Sequence, residues 1–451
     1  MANLMTVIPP SLHRGFVALG VRNYRLYWTG QVISRVGTWM QQVSLPWLVL
    51  VLGGSPLQLG IVAALEFVPS MVLAPFGGVV ADRIDKRRAI VVTQVLAAVQ
   101  VVVLLALIGT GLISIGWIML LGFALGVVNA IDMPLRQALA AELVEPRLLT
   151  NAIALNSMAF NSARVVGPAI AGATIAAGTA IFGSALAGVA FNLAINAVSY
   201  SAVVLSLWWM DPTQIRRPPA AASPPRIIDS LVEGFTYAVR TPVVFWALVL
   251  LGLISTFAMN FRILLPLFTV DVLHVDAGIY GILYGCLGLG SVSGAVTLAF
   301  MHERRAIRLI IGGAALMGVL ELLLALVRSE LLAAPVLIGV GYFSMLMINT
   351  VNATIQANVP DVLRGRVMAL YVMVFAGTTP IGGIFAGAVA EVWGVPMTLA
   401  LGGAIALAAA ILVAWRFRLA GIAGALGQTH LVTVGREAAA DVATRGEATP
   451  T

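Results

Sequence analysis

Gly77-Gly78-Val79-Val80-Ala81-Asp82-Arg83-Ile84-Asp85-Lys86-Arg87-Arg88 joins two long apolar runs of the chain. These residues include two glycines, two aspartates and four basic side chains, although only 10% of the chain is charged. A short cationic segment between apolar runs of membrane length is typical of a cytoplasmic loop between two transmembrane helices. The stretch therefore predicts a membrane protein and assigns this loop to the cytoplasmic side.

The composition agrees with a membrane protein. The 451 residues are 60% hydrophobic, with a mean hydropathy of +1.00, whereas soluble domains are about 45–50% apolar and about 25% charged. A bilayer core needs roughly 20 apolar residues per helix, so the chain accommodates about twelve helices. Uninterrupted apolar runs favour helices over the alternating pattern of a transmembrane barrel. We predict an all-α polytopic membrane protein with about twelve transmembrane helices.

Composition and motifs also exclude several functions. The net charge of +7 comes from arginines in alternate loops, which indicates membrane topology and not nucleic-acid binding. Cys286 is the only cysteine, so no intramolecular disulfide is expected. The four histidines are too scattered for a metal site, and they are His13, His274, His302 and His430. Nucleotide-binding, zinc-protease and serine-hydrolase motifs are absent from the sequence. We expect no enzymatic activity, no cofactor and no metal.

The apolar runs divide the chain into five parts. We predict a cytoplasmic N-terminal segment (1–25), a six-helix bundle (26–209), a cytoplasmic linker (210–240), a second six-helix bundle (241–418) and a disordered cytoplasmic tail (419–451). The linker is marked by Asp-Pro and Pro-Pro steps, and its second part has the pattern of an amphipathic surface helix. The predicted helices are 26–52, 57–80, 89–110, 115–138, 150–178, 181–209, 242–271, 277–300, 307–327, 332–356, 366–391 and 396–417. The first twenty residues lack the apolar core of a cleavable signal, so none is expected.

The orientation follows from the arginines. Nearly all of them lie in the loops after the even-numbered predicted helices or at the two termini, and Arg328 is the exception. The positive-inside rule then places both termini in the cytoplasm. We expect a multi-pass protein of the bacterial cytoplasmic (inner) membrane.

The two halves of the chain are related in sequence. Arg87-Arg88-Ala89-Ile90 returns as Arg304-Arg305-Ala306-Ile307. A second set of identities, including Gly167 with Gly382, recurs at a constant separation of 215 residues. Parallel six-helix repeats are a transporter architecture, in which the substrate path lies between two pseudo-symmetric halves.

Several motifs resemble those of the major facilitator superfamily. The opening stretch is similar to the Gly-x3-Asp-Arg-x-Gly-x-Arg-Arg signature, with Asp85 in place of one glycine. Gly167-Pro168-Ala169-Ile170-Ala171-Gly172 resembles the Gly-Pro-x-x-Gly-Gly element of its antiporters, with Ala171 in place of one glycine. Shorter segments at 22–27, 132–137 and 360–366 resemble the bacterial exporters of enterobactin-type siderophores and macrolides. The resemblance implies a proton-driven exporter of a small organic molecule that works by alternating access.

The first set of candidate residues forms a cytoplasmic gate. Asp82 can accept hydrogen bonds from Arg136 or from a helix N-terminus, and such bonds would hold the cytoplasmic side closed. The alternative is that the arginines only orient the chain. The gate candidates are Gly78, Asp82, Arg83, Arg87, Arg88 and Arg136.

A Gly-Pro element lies in the predicted helix 150–178. Its residues Gly167, Pro168 and Gly172 form either a pliant element of the exporter or ordinary small-residue packing.

Ionisable residues at membrane depth are costly to bury and supply the coupling candidates. These candidates are Glu66, Asp132, Arg164 and Arg35. Glu66 either loads and releases a proton or pairs permanently with an arginine. Asp132 and Arg136 are four residues apart on one helix face and can satisfy each other. Asp132, Glu66 or an anionic substrate is expected to meet Arg164. Glu321 is left aside, because the helix 307–327 is commonly peripheral in the resembled family.

Polar and aromatic residues within the predicted helices suit an amphipathic cavity. The cavity candidates are Gln31, Trp39, Phe67, Asn156, Asn161, Asn260, Arg262, Asn349 and Asn352. The alternative for each is a hydrogen bond between helices. The arginines and amides would suit an anionic or catecholate-like substrate, whereas Glu66 and the aromatic residues would suit an amphipathic cation.

The sequence leaves three functions open. The first is a drug- or siderophore-like exporter with protons, a small molecule and the lipid bilayer as partners, acting as a monomer without nucleic acid. The second is a proton-coupled importer or facilitator of a small solute. The third, from another class, is a membrane sensor or scaffold that does not transport; it would need a sizeable soluble output domain.

Overall fold

The helices of the computed structural model confirm the predicted all-α fold. The structure describes residues 15–216, 227–301 and 306–419, without the side chains of residues 74–83, 227–231 and 418–419. Within this part the chain forms helices and no strand. In chain order the helices are α1 (Arg22–Val51), α2 (Pro56–Arg83), α3 (Lys86–Gly109), α4 (Ile115–Glu142), α5 (Leu149–Phe182), α6 (Ala185–Trp208), α7 (Ile227–Arg240), α8 (Pro242–Phe257), α9 (Phe261–Leu267), α10 (Ala277–Phe300), α11 (Ala306–Leu326), α12 (Glu330–Ala357) and α13 (Asp361–Leu419). The gate candidates Gly78, Asp82 and Arg83 lie on α2, but their side chains are outside the described residues.

The described part contains ten segments that are long and apolar enough to cross a membrane. One of them, Asp361–Phe417, has 57 residues and is broken at Gly394, so at about 1.5 Å per residue it can cross twice. The helix α1 has 30 residues but is more polar than the others. Together these segments account for the twelve crossings predicted from the sequence, and the chain is a multi-pass membrane protein.

Local sequence signals set several helix ends. Ser55 and Gln58 form a reciprocal capping box at the start of α2, with Pro56 at the first helical position. Asp85 caps α3 by accepting from the backbone N–H of Arg88 at 3.1 Å. Gly183 ends α5 in a left-handed conformation with φ +73°. These caps explain why the predicted boundaries agree with the observed ones within a few residues.

The predicted continuous helix 242–271 is wrong, because the chain leaves the helical conformation between α8 and α9. The interruption covers residues 258–260, and a π-helical segment, Phe268–Val272, follows α9. The side chain of Asn260 donates to the carbonyl of Thr256 at 2.8 Å, in place of a backbone N–H. Gly382 of α13 packs onto the same carbonyl, since a Cβ there would approach both Thr256 and Asn260. The break is stabilised by Asn260 and by the absence of a side chain at Gly382.

The described helices group into two compact units. The first contains α1 to α6 and the segment 265–285. Within it α2 packs on α4, and α1 packs on both α5 and α6. Gln41 of α1, which is buried, is bonded to Gln100 of α3 at 3.1 Å and to Asn196 of α6 at 2.6 Å. Hydrogen bonds between amide side chains therefore join three helices in the core of this unit.

The second unit contains α7, α8, the start of α9, most of α10, and α11 to α13. The helices α11 and α13 pack closely, and a Cβ at Gly318 would come 2.7 Å from the carbonyl of Gly403. The surface helix α7 is fixed to α13 by an ion pair between Glu233 and Arg366. The Tyr237 hydroxyl also donates to the carbonyl of Asn358 at 2.7 Å. The segment 265–285 lies beyond the predicted linker but packs with the first unit, and the predicted domain boundaries stay a prediction.

Candidate functional site

A buried ionic network lies between α1, α3 and α4. Asp132 of α4 is 7% exposed, and one of its carboxylate oxygens forms an ion pair with Arg136, one turn along the same helix. The other oxygen accepts from the hydroxyl of Thr93 at 2.5 Å and from the amide of Gln94 at 3.3 Å. Arg136 also donates to the side-chain oxygen of Gln31 on α1.

This network satisfies the charge of Asp132 completely. An arginine and two neutral donors surround the carboxylate, and hydrogen bonds to a charged group are stronger than those between neutral groups. The sequence spacing of four residues predicts the contact between Asp132 and Arg136, whereas the contacts from Gln31, Thr93 and Gln94 come from other helices. Gln31 also has a side-chain nitrogen that is buried without a hydrogen-bond partner among the described residues. Because this nitrogen is a donor and a guanidinium has no acceptor, a ligand with an acceptor oxygen would satisfy it.

Two arginines flank a pair of aromatic rings between α1 and α5. The rings of Trp39 and Phe160 meet edge to face at 5.7 Å. The guanidinium carbon of Arg35 lies 5.8 Å from the centre of the Phe160 ring, and that of Arg164 lies 5.9 Å from the Trp39 ring. We call these four residues the arginine–aromatic row. Both distances fall within the range of a cation–π contact.

The two arginines of the row differ in their hydrogen bonds. Arg35 donates to the backbone oxygen of Asn156 at 3.0 Å and to its side-chain oxygen at 3.2 Å. Arg164 makes neither a hydrogen bond nor an ion pair with the described residues. A guanidinium group offers five donors in a planar fork that matches carboxylates and phosphates. The row is therefore suited to an anionic group, with aromatic or apolar parts of a ligand against Phe160, which is 46% exposed.

The Gly-Pro element brings α5 close to two other helices. A Cβ at Gly167 would lie 2.5 Å from the Cβ of Trp39 on α1. On the other side, a Cβ at Gly172 would lie 2.8 Å from the Cα of Gly281 on α10. Pro168, which has no N–H to donate, sits inside α5 between the two glycines. The element thus sets how closely α5 packs beside the row.

Glu66 lies at the contact of α2 with α4 and not in the ionic network around Asp132. A Cβ at Gly122 would come 3.1 Å from the Cγ of Glu66. A Cβ at Gly126 would meet the backbone oxygen of the same residue. Two glycines of α4 therefore make room for Glu66, and the adjacent Phe67 is half-buried.

Five further candidates are bonded locally or lie in the second unit. Asn161 and Asn260 each donate to a carbonyl four residues earlier, at 2.8 Å, and Asn352 accepts from Gln356 at 2.6 Å. Asn349 is half-buried on α12, and so is Arg262, the second residue of α9. The amides of Asn161 and Asn260 are thus partly used by their own helices, which leaves them less hydrogen-bonding capacity for a ligand.

The described gate residues make structural contacts. Arg87 donates to the carbonyls of Leu207 at 2.6 Å and of Trp208 at 3.1 Å, at the C-terminal end of α6. A cation there is favoured by the helix dipole. Arg88 is exposed. Lys86, which is not among the gate candidates, forms an ion pair with Glu142 of α4 at 2.7 Å.

One ionisable residue that sequence reasoning left aside is deeply buried. Glu321 of α11 is 1% exposed, and neither of its carboxylate oxygens has a hydrogen-bond partner within the described ranges. The only signal in the sequence was a single acidic residue in the middle of an apolar run.

Comparisons with known proteins agree with the resemblance found in the motifs. A family model described as "Transmembrane secretion effector" matches residues 14–443. The Staphyloferrin A transporter of Staphylococcus aureus (strain NCTC 8325 / PS 47) is 24% identical over 387 residues, covering 84% of this chain and 92% of that protein. Among solved structures, a POT family transporter in complex with a thioalcohol-conjugated peptide matches with a TM-score of 0.70 and 12% identity, over 88% of this chain and 96% of that one. The nucleoside transporter NupG matches with a TM-score of 0.67 and 12% identity, over 87% and 99% of the two chains. These structures share the fold.

Proposed function

Because the chain belongs to the transmembrane secretion effector family of the major facilitator superfamily, we propose that it exports a small organic molecule by proton antiport. It is a membrane transporter of the major facilitator type and not an enzyme. The proposed substrate is drug- or siderophore-like, and the proposed mechanism is alternating access. The relative named Staphyloferrin A transporter favours a siderophore within that class.

The observation that carries the substrate proposal is the unpaired Arg164 in the arginine–aromatic row. Arginines within transmembrane helices are costly and normally pair with an acid or a polar group. Arg164 has neither among the described residues, although Trp39 lies beside it. An anionic substrate would supply the missing partner, and the rings of Trp39 and Phe160 would contact its apolar parts. This arrangement favours an anionic, siderophore-like molecule over an amphipathic cation.

The coupling proposal starts from the ionic network of Asp132. A proton on Asp132 would remove the charge that holds Arg136, and would leave Arg136 free to bond elsewhere. Glu66 is the second coupling candidate, an acidic residue within a transmembrane helix that Gly122 and Gly126 of α4 accommodate. Protonation of Asp132 or of Glu66 would change the electrostatic interactions of the positively charged Arg35 and Arg164. The gate of Gly78, Asp82, Arg83, Arg87, Arg88 and Arg136 stays part of the proposal, with Arg136 shared between gate and network.

Topology and setting complete the proposal. The arginine-rich loops place both termini in the cytoplasm. The membrane is then the bacterial inner membrane, and the protein acts as a monomer. Membership in a transporter family leaves the sensor or scaffold alternative without support. Import remains an outcome that the experiment below distinguishes from export.

The test uses inverted membrane vesicles with an imposed proton gradient and a panel of dyes, macrolides and siderophores that includes staphyloferrin A. Wild type is compared with Glu66→Gln and Asp132→Asn, and the melting temperature of each purified variant is measured in detergent. We expect gradient-dependent accumulation of an anionic siderophore, and its loss in one folded variant identifies the coupling carboxylate. Accumulation that is unchanged in both variants would contradict this coupling assignment. Uptake by right-side-out vesicles alone would replace export with import.

A further inference from the structure

Glu321 is the one acidic residue of the second unit that is fully enclosed among the described residues. It lies in the middle of α11, it is 1% exposed, and it forms no ion pair with the described part of the chain. Both carboxylate oxygens are buried without a hydrogen-bond partner. A carboxylate in such surroundings is costly unless a partner or a proton neutralises it.

The carboxyl group fits into a slot that two glycines leave open. A Cβ at Gly402 of α13 would lie 3.1 Å from one carboxylate oxygen of Glu321. A Cβ at Gly403 would lie 3.1 Å from the Cβ of Glu321 itself. Any larger residue at Gly402 would therefore occupy the space beside the carboxyl group.

The same slot adjoins the break between α8 and α9. The point where a Cβ on Gly402 would stand is only 2.8 Å from the carbonyl oxygen of Phe257, the last residue of α8. That point is also 3.3 Å from the Cα of Ala258, the first residue of the interruption. The break removes the N–H that a continuous helix would direct at this carbonyl. A buried carboxyl group and a helix-terminal carbonyl thus converge on one small space.

Among the residues that the structure describes, no charged group compensates Glu321. The titratable and charged side chains of the described elements around it are Arg308 of α11, Arg262 of α9, Glu330 and Tyr342 of α12, and Asp361, Arg364, Arg366, Tyr371, Glu391 and Arg416 of α13. None of them forms an ion pair or hydrogen bond with Glu321. The helix α8 carries no charged residue. The neutral acid, in contrast, has an O–H donor that the Phe257 carbonyl can accept.

We propose that Glu321 is a proton-binding residue of the transport cycle, held in the protonated form against the α8–α9 break. The proton resides on the carboxyl group while the slot is closed, and it passes to water when the break moves away from α11 and water enters. This inference rests on the proposed proton antiport and assigns it a carboxyl group outside the network of Asp132. Broken helices that expose backbone carbonyls are a recurring place for coupling ions in transporters.

The first experiment tests directly whether the Glu321 carboxyl group carries a proton. Purified full-length protein is treated with dicyclohexylcarbodiimide, which reacts with protonated carboxyl groups in apolar surroundings, across a range of pH, and the modified peptides are identified by mass spectrometry. We expect modification of Glu321 that declines at high pH, and loss of this modification in Glu321→Gln. Gly402→Ala, which fills the slot, is expected to alter the pH at which the modification declines. Glu330→Gln, the same substitution at the start of α12, is the matched control.

The second experiment links this proton to transport. Inverted vesicles receive radiolabelled staphyloferrin A with either a proton gradient or a sodium gradient. We expect Glu321→Gln to lose gradient-driven accumulation while keeping substrate counterflow, and Glu330→Gln to match wild type. Wild-type accumulation driven by sodium alone, modification independent of pH, or a Glu321→Gln variant that still couples would each overturn the inference. A wild type with no gradient dependence would instead defeat the proposed antiport, and the carbodiimide profile would still decide whether Glu321 exchanges a proton.

Discussion

Gly167 of α5 faces Trp39 of α1 so closely that a Cβ added at the glycine would lie 2.5 Å from the Cβ of the tryptophan. Alanine favours a helix by about 1 kcal/mol over glycine, but overpacking typically costs about 1–3 kcal/mol. We therefore expect Gly167→Ala to destabilise the protein and, because Trp39 belongs to the arginine–aromatic row, to reduce transport. The midpoint of thermal unfolding in detergent measures the first effect, and vesicle transport measures the second.

The control for this prediction is Gly312→Ala on α11. A Cβ at Gly312 would meet no atom within 4 Å, so the helix propensity acts alone and stability should stay equal or rise slightly. If Gly167→Ala were as stable as Gly312→Ala, the close approach of α1 and α5 would not constrain the fold.

Gly394 interrupts α13 between its two membrane crossings. A glycine is required there by the backbone conformation, since an added Cβ would meet no close neighbour. Its φ of +80° and ψ of 166° lie in a region that is essentially restricted to glycine. Gly183, between α5 and α6, has φ +73° and ψ 10°, which asparagine also adopts. We expect Gly394→Asn to cost about 1–3 kcal/mol, and Gly183→Asn clearly less. Parallel thermal unfolding of the two variants is the measurement, and equal losses would contradict the assigned conformation at Gly394.

The helices were predictable because their signals are local. The runs of apolar residues have membrane length, and Ser55, Asp85 and Gly183 mark ends by short-range chemistry. The break after Phe257 was not predictable, because neither glycine nor proline occurs between Ser255 and Arg262. Its stability depends on Gly382, which is distant in sequence and has no side chain to block the approach.

In the candidate site, as in the fold, contacts within one helix were predictable from the sequence and contacts between helices were not. The four-residue spacing of Asp132 and Arg136 indicates their ion pair, since such residues share a helix face. The donors from Thr93 and Gln94 depend on how α3 packs against α4, which the sequence does not reveal. The enclosure of Glu321 was not predictable, because it depends on Gly402 and Gly403 of another helix.

The pair of Asp132 and Arg136 is open to a double-mutant cycle. Removing one member of a buried ion pair typically costs about 3–5 kcal/mol, because the remaining charge loses its partner. We expect Asp132→Asn and Arg136→Gln each to destabilise strongly, and the double variant to lose less than the sum. The coupling energy should be about 0.5–3 kcal/mol in thermal or denaturant unfolding. Additive losses would show that Gln31, Thr93 and Gln94 hold the two residues independently.

Arg164 should affect substrate binding more than stability, since among the described residues it makes a cation–π contact with Trp39 but no hydrogen bond or ion pair. A hydrogen bond to a charged group contributes about 1.5–3 kcal/mol, so Arg164→Gln should weaken binding of an anionic siderophore by about 10-fold or more. Arg164→Lys keeps the charge but loses the planar fork, so its affinity for the siderophore should lie between those of wild type and Arg164→Gln.

Isothermal titration with staphyloferrin A measures the affinity, and thermal unfolding measures the stability. Arg308→Gln, at an exposed position of α11, is the control. Unchanged affinity in Arg164→Gln would remove this arginine from the binding site, whereas a matching loss of stability would make its role structural.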